Sequence, residues 1–220
     1  MSSSIFTSPE EAESAFYAAL ARADLDGMII HSLGDPAFVD RAQRVALQPG
    51  ARWDEASLGT NGIGTALLER APVEVFGSEH YLDRNVFLSC CSSPIFDPQG
   101  ELAGVFDISG DYRNPQRHTM GLVRLSVQLV EKRLFESEFG KHIVFAFHTR
   151  PEYVGSLQEA LIALGPDGTI LGAHLLGNPA SELIVNLGIA IEKNMTAQEL
   201  NSMVFPHPTV GEIIKETLFT

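Results

Sequence analysis

The stretch from Trp53 to Leu67 concentrates the residues that could do chemistry: Gly59, Gly62 and Gly64 stand among the hydroxyls of Ser57, Thr60 and Thr65 and the amide of Asn61. Each glycine gives up backbone entropy that needs a structural return. The stretch is therefore either the wall of a pocket or a demanding turn. As a pocket rim, it would turn backbone N–H groups toward an anionic or carbonyl ligand. As a close-packed helix start, it would hold nothing. The glycine order is not that of a nucleotide loop and no lysine follows. The segment then reads as opening into a buried strand.

Further along, Asp107 lies between Phe106 and Ile108, and a carboxylate among apolar neighbours needs a partner. Glu79, His80, Asp83 and Cys90 are metal or redox ligand types, yet their spacing fits no standard zinc pattern. They read as a ligand-facing or surface cluster, with one thiol of the Cys90-Cys91 pair facing the core as a small hydrophobe. The expected ligand-binding set is Trp53, Gly59, Thr60, Asn61, Gly62, Gly64, Thr65, His80, Cys90 and Asp107, with no metal site and no cofactor. Thr209 and Glu212, just after His207, have the spacing of a capping box.

These residues need elements to hold them. Ser8-Pro9-Glu10-Glu11 starts a helix, which Ala12, Ala15, Phe16, Ala19 and Leu20 continue to about Ala23. A turn and a short strand, Met28-Ile29-Ile30, follow. Asp35-Pro36 opens a second helix that Pro49-Gly50 stops, and Pro72 to Phe76 alternates as a strand. Asp97-Pro98-Gln99-Gly100 joins two antiparallel strands. His118 to Phe139 predicts a long helix with two apolar stripes, one through Val123 and Val127 and another through Leu122, Leu125 and Leu129. Residues 139–156 read as a linker. A second hairpin turns at Gly165-Pro166-Asp167-Gly168, and helices start at Asn178-Pro179, Thr196 and Thr209.

A chain of 220 residues can bury one large or two small cores without staples. Its net charge of −13 argues against direct nucleic-acid binding. Two adjacent cysteines make no disulfide framework, which fits a reducing cytoplasm. No apolar run reaches the ~20 residues of a membrane span.

Residues 16–155 resemble the GAF sensory domain of acetoin- and glycerol-type transcriptional activators, a branch of the sigma-54-dependent regulators. The matching blocks include Leu33-Gly34-Asp35-Pro36, Pro49-Gly50-Ala51-Arg52-Trp53, Gly59 to Thr65, Gly77-Ser78-Glu79-His80, Ser89-Cys90 and Gly104 to Gly110. The resemblance implies an antiparallel sheet with flanking helices, a small-molecule pocket and no catalysis. Two departures stand out. One edge strand of that fold is missing near Ala23, and no phosphate-loop motif of an ATPase occurs in the sequence.

Residues 168–218 resemble instead the C-terminal interface domain of dihydrolipoamide-dehydrogenase-like flavin disulfide reductases, through Gly172 to Gly177, Ala180 to Ile184, Met195 to Leu200 and His207-Pro208-Thr209 with Glu212. There the histidine matching His207, held by the glutamate matching Glu212, is an acid/base toward a redox dithiol. That dithiol and the flavin motif are absent from this sequence, so the pair is expected to be vestigial.

The sequence thus predicts an α+β protein with a GAF-like sensory domain over residues 8–138, a linker over 139–156 and a small α/β module over 157–220. The expected function is small-molecule sensing by a non-enzymatic, cytoplasmic homodimer that binds neither nucleic acid nor membrane. A dimerisation fragment of a flavin-dependent oxidoreductase, or an artificial chimera without evolved function, are the alternatives.

Overall fold

The computed structural model describes residues 18–177 and 180–219. They divide into two compact units, the first reaching Phe96 and resuming over Glu101–Val127, the second holding Asp97–Gly100 and the chain from Gln128 onward.

The first unit is built on a five-stranded antiparallel sheet in the order β2-β1-β5-β4-β3. Its strands are β1 (Ala18–Ala23), β2 (Ile29–Gly34), β3 (Val73–Phe76), β4 (Leu88–Phe96) and β5 (Leu102–Asp111). The first strand corrects the sequence reading, which carried a helix to Ala23 and found an edge strand missing. Ala19, Ala21 and Ala23 are 3%, 1% and 1% exposed while Arg22 lies in solvent, a period of two. Helix propensity is a weak prior that pairing overrides, and here β1 pairs on both sides, with β2 and with β5. The β1–β2 turn closes through Gly27 N–H to the Asp24 carbonyl at 3.1 Å. The helix start read at Ser8 lies outside the described residues.

Four helices complete this unit: α1 (Pro36–Gln43), α2 (Glu55–Leu58), α3 (Gly62–Glu69) and the opening turns of α4 (Thr119–Phe139). Asp35 caps α1 by accepting from the N–H groups of Ala37 and Phe38 at 2.9 and 3.1 Å, as its Asp-Pro start predicts. Phe38, Trp53 and Ile63 then pack with the β1 alanines on one face of the sheet. The expected turn at Asp97 to Gly100 joins β4 and β5. On α4, Val123 and Val127 are buried whereas Leu122, Leu125 and Leu129 are exposed, so the two apolar stripes have different fates.

The second unit holds a three-stranded antiparallel sheet, β6 (Ile143–Phe147), β7 (Ala160–Leu164) and β8 (Ile170–His174), in that order. Helices α5 (Ala180–Glu192), α6 (Ala197–Ser202) and α7 (Glu212–Phe219) follow. All five residues of β7 are buried because both faces of the sheet are covered. Leu183, Leu187, Leu200 and Ile214 pack with Ile162 and Ile170 on one side, and Phe135 and Phe139 from the later turns of α4 pack with Leu161 and Ala163 on the other. Gly172 is required there, since a Cβ would stand 2.6 Å from the Phe139 ring.

The segment read as a linker holds β6, an edge strand whose outward Ile143 and Val144 hide its alternation. Moreover, the division between the units falls within α4. Thr196 and Glu199 form the expected capping box on α6. On α7 only half of the box exists: Glu212 accepts from Thr209 N–H at 3.0 Å, while the Thr209 hydroxyl donates to the Pro206 carbonyl at 2.7 Å. The start read at Asn178-Pro179 lies outside the described residues. The α+β class holds for both units.

Candidate functional site

The glycine-rich stretch opens into helix α3, not into a strand. Asn61 caps it, its side-chain oxygen accepting from Gly64 N–H at 2.9 Å and its amide donating to the Gly59 carbonyl at 2.8 Å. Gly59 ends α2 at φ +64°, and a Cβ there would stand 2.4 Å from the Tyr81 ring. The remaining two glycines are points of close approach. A Cβ on Gly62 would lie 2.4 Å from Ser92 Oγ and 2.7 Å from Cys90 Cβ, and one on Gly64 would lie 2.5 Å from the Glu55 backbone nitrogen. The helix therefore rests directly on the sheet. Thr60 and Thr65 donate to the two oxygens of Glu55 at 3.3 and 2.6 Å. Trp53, 1% exposed, donates its indole N–H to the Ala46 carbonyl at 2.8 Å.

Beneath α3 lies a buried line of polar side chains. The antiparallel register places Asp107 opposite Ser92 and Ser109 opposite Cys90, and the two-residue period of the strands turns all four toward the helix. Asp107 Oδ1 lies 2.5 Å from the Ser92 hydroxyl and Oδ2 lies 2.7 Å from the Ser109 hydroxyl. Cys90 Sγ lies 3.1 Å from Ser109 Oγ and 3.4 Å from His80 Nε2, and His80 Nδ1 lies 3.0 Å from the Gly77 carbonyl. Burial pushes Asp107 up to about 6 against the pull of its two serine hydroxyls. It also pushes the Cys90 thiol far above its usual range, with the Asp107 charge adding to it, and draws His80 down. Cys91, on the opposite face of β4, is likewise pushed up to about 12, first by burial and then by Glu74.

All ten residues read from the sequence thus meet around the start of α3. Glu79 and Asp83 do not join them: both are exposed, and Glu79 accepts from Phe76 N–H at 2.7 Å. Among the described residues no His, Cys, Asp and Glu group is arranged to hold a metal ion. Sequence reasoning missed Ser92, Ser109 and Glu55. The first two carried a signal, since Cys90-x-Ser92 and Asp107-x-Ser109 each repeat at the period of one strand face.

A cleft of about 550 Å³ lies on the other side of the sheet, with Leu20, Leu33, Ile108 and Leu122 as its apolar lining and Asp35 and His118 among its polar residues. None of the ten residues lines it. In the second unit, His207 Nδ1 sits 3.0 and 3.1 Å from the Glu212 oxygens. The imidazole is 82% exposed. Glu212 is held below its usual range by the Thr209 N–H and then by His207.

Two family models match this chain: the GAF domain over residues 11–134 and the dimerisation domain of pyridine nucleotide-disulphide oxidoreductases over residues 148–218. The acetoin dehydrogenase operon transcriptional activator AcoR of Bacillus subtilis is 37% identical over 111 residues, which is 50% of this chain and 18% of the activator. The dihydrolipoyl dehydrogenase of Geobacillus stearothermophilus is 45% identical over 56 residues, 26% of this chain and 12% of the enzyme. The chain therefore spans less than a fifth of either relative. Among solved structures, the E. coli DhaR(N)-DhaL complex superposes with a TM-score of 0.55 at 15% identity, covering 80% of this chain and 60% of that one, a likeness of fold. No helix among the described residues is long and apolar enough to cross a membrane.

Proposed function

The chain belongs to the GAF domain family, and from that premise we propose that its first unit is a small-molecule-sensing domain of transcription regulation, receiving its ligand where α3 meets β4 and β5. The observation that carries this reading is Asp107: a fully buried carboxylate, held by two serines, that no cation pairs with among the described residues. Packing alone gives a core no reason to keep such a group, whereas perturbed acids gather at functional sites. The ligand set is Trp53, Gly59, Thr60, Asn61, Gly62, Gly64, Thr65, His80, Cys90 and Asp107. The name of the acetoin operon activator supports hydroxy-ketones as the first candidate ligands. Because the glycines seat α3 tightly on the sheet, a ligand enters by moving that helix.

Binding biases one of two arrangements, and α4 carries the change to a homodimer contact through Leu122, Leu125 and Leu129. On this reading the protein is a cytoplasmic regulator without catalysis, working without a cofactor, nucleic acid or membrane. The sensing domain is the unit that ends within α4 at Val127, and the second module begins at Gln128 and includes β6. Calorimetry and thermal shift with acetoin, other hydroxy-ketones, diols and aromatic acids test the reading. At least one compound is expected to bind and raise the melting temperature, and silence across the panel overturns it.

The match over residues 148–218 and the His207 and Glu212 pair favour a second reading, a module that completes a flavin-dependent disulfide oxidoreductase in trans. Co-purification with a yellow partner would support it.

A further inference from the structure

The polar line beneath α3 can be read by counting hydrogens. The Gly77 carbonyl, His80, Cys90, Ser109 and Asp107 are joined by four contacts of 3.0, 3.4, 3.1 and 2.7 Å. Each contact needs one hydrogen between its two atoms. One end is fixed, because a carbonyl only accepts, so His80 carries its hydrogen on Nδ1. In a neutral imidazole Nε2 is then a bare acceptor, and the Cys90 S–H donates to it. Cys90, its hydrogen engaged, accepts from the Ser109 hydroxyl. Ser109 then faces Asp107 Oδ2 with a lone pair, and only a protonated carboxyl fills that last contact. Ser92 donates to the other oxygen at 2.5 Å.

Two other arrangements also supply four hydrogens, an imidazolium at His80 with either a carboxylate at Asp107 or a thiolate at Cys90. Burial opposes every charge in them, drawing His80 down and pushing Asp107 and Cys90 up. A carboxylate beside a neutral His80 leaves three hydrogens for four contacts, and an unmade bond between buried polar atoms is costly.

We propose that Asp107 is a proton-binding site, held as a neutral carboxylic acid at pH 7, and that its proton orients the whole line of hydrogen bonds from β5 to Gly77. Burial raises this acid to about 6 with both serine hydroxyls turned toward it. Turning Ser109 to the sulfur removes one bond that favoured the anion and carries the acid higher. The ionisable groups around it do not supply a counter-charge. From β4 come Cys90 and, on the opposite face, Cys91; from the turn after β3 comes His80. The Arg22 side chain on β1 is exposed, and α3 carries no ionisable group before the exposed Glu69. The start of α3 feels the proton, because Gly62 N–H bonds to Cys90 Sγ and the glycine lies against Asp107.

Infrared and carbon NMR spectra of the whole chain test the assignment. A protonated carboxyl signal is expected at pH 7 and should vanish in Asp107→Asn, while nitrogen NMR should find the His80 hydrogen on Nδ1. Cys90→Ala frees Ser109 to return to the carboxylate, so the Asp107 midpoint should fall by about one pH unit or more. If that variant does not fold, the wild-type spectra decide alone. An ionised Asp107 at pH 7, or a His80 hydrogen on Nε2, overturns the proposal.

Discussion

Asp107 in the first unit and Glu159 in the second are both buried carboxylates, held in opposite ways, while Asp111, also buried in the first unit, pairs with Arg41 and Arg113 as Glu159 does with Lys132. In the second unit Glu159 meets Lys132 Nζ at 2.6 Å, their side chains 9% and 10% exposed, and its other oxygen accepts the Gly155 N–H. Burial pushes Glu159 up, but the Lys132 bond, the Gly155 N–H and the lysine charge together leave it below its ordinary value. Asp107 has hydroxyls where Glu159 has a cation, and it ends raised. A cation fixes the charge of a buried acid; hydroxyls leave it free to titrate. The first is a brace, and the second is the seat of the proposed proton.

The largest test of that contrast is to remove the cation. Lys132→Met should destabilise the protein by about 3–5 kcal/mol, because it strands a buried charge, as read in a guanidinium melt. Adding Glu159→Leu should recover most of the loss, and a double variant as unstable as the single would break the comparison.

Next comes pH. Burial raises Asp107 from 3.8 to about 6 and the turned Ser109 carries it higher, so its contribution is full below the unfolded value and is lost as pH rises through a folded value above 6, a change of about 3 kcal/mol or more. Glu159, held below its usual value, contributes above that value and loses its contribution as pH falls. Stability followed from pH 4 to 8 should therefore fall more steeply in wild type than in Asp107→Asn, whose amide stands in for the protonated acid.

A smaller effect is expected at the helix seat. Gly62→Ala forces a Cβ to within 2.4 Å of Ser92 Oγ and should cost about 1–3 kcal/mol. Gly121→Ala on α4 meets nothing within 4 Å and serves as the tolerant control. Smallest of all, His207→Ala removes an exposed partner of Glu212 and should leave the melting temperature unchanged within error. A large loss there would point to work for that pair beyond capping.

The sequence made the hairpins at Asp97 and Gly165 readable because proline and glycine fix turn geometry locally. The glycines of α3 were recognisable as special, but what they approach was not, since Ser92 and Cys90 lie about thirty residues away across a register that local pattern does not encode. The strand β1 was misread for a related reason. A run of alanines favours a helix in isolation, and only its pairing with β2 and β5 makes it extended. The edge strand β6 was hidden because its outward residues are as apolar as its inward ones. Site residues chosen from resemblance and composition converged, whereas the serines that tune Asp107 needed the face of the sheet to be known.

Strand β5 is a partition one peptide thick. Asp107 and Ser109 look toward the buried polar line beneath α3, and Ile108 between them looks into the oily cleft. Whatever crowds or vacates that cleft leans on the same backbone that aims the acid. Neither compartment can be rebuilt without the other registering the disturbance.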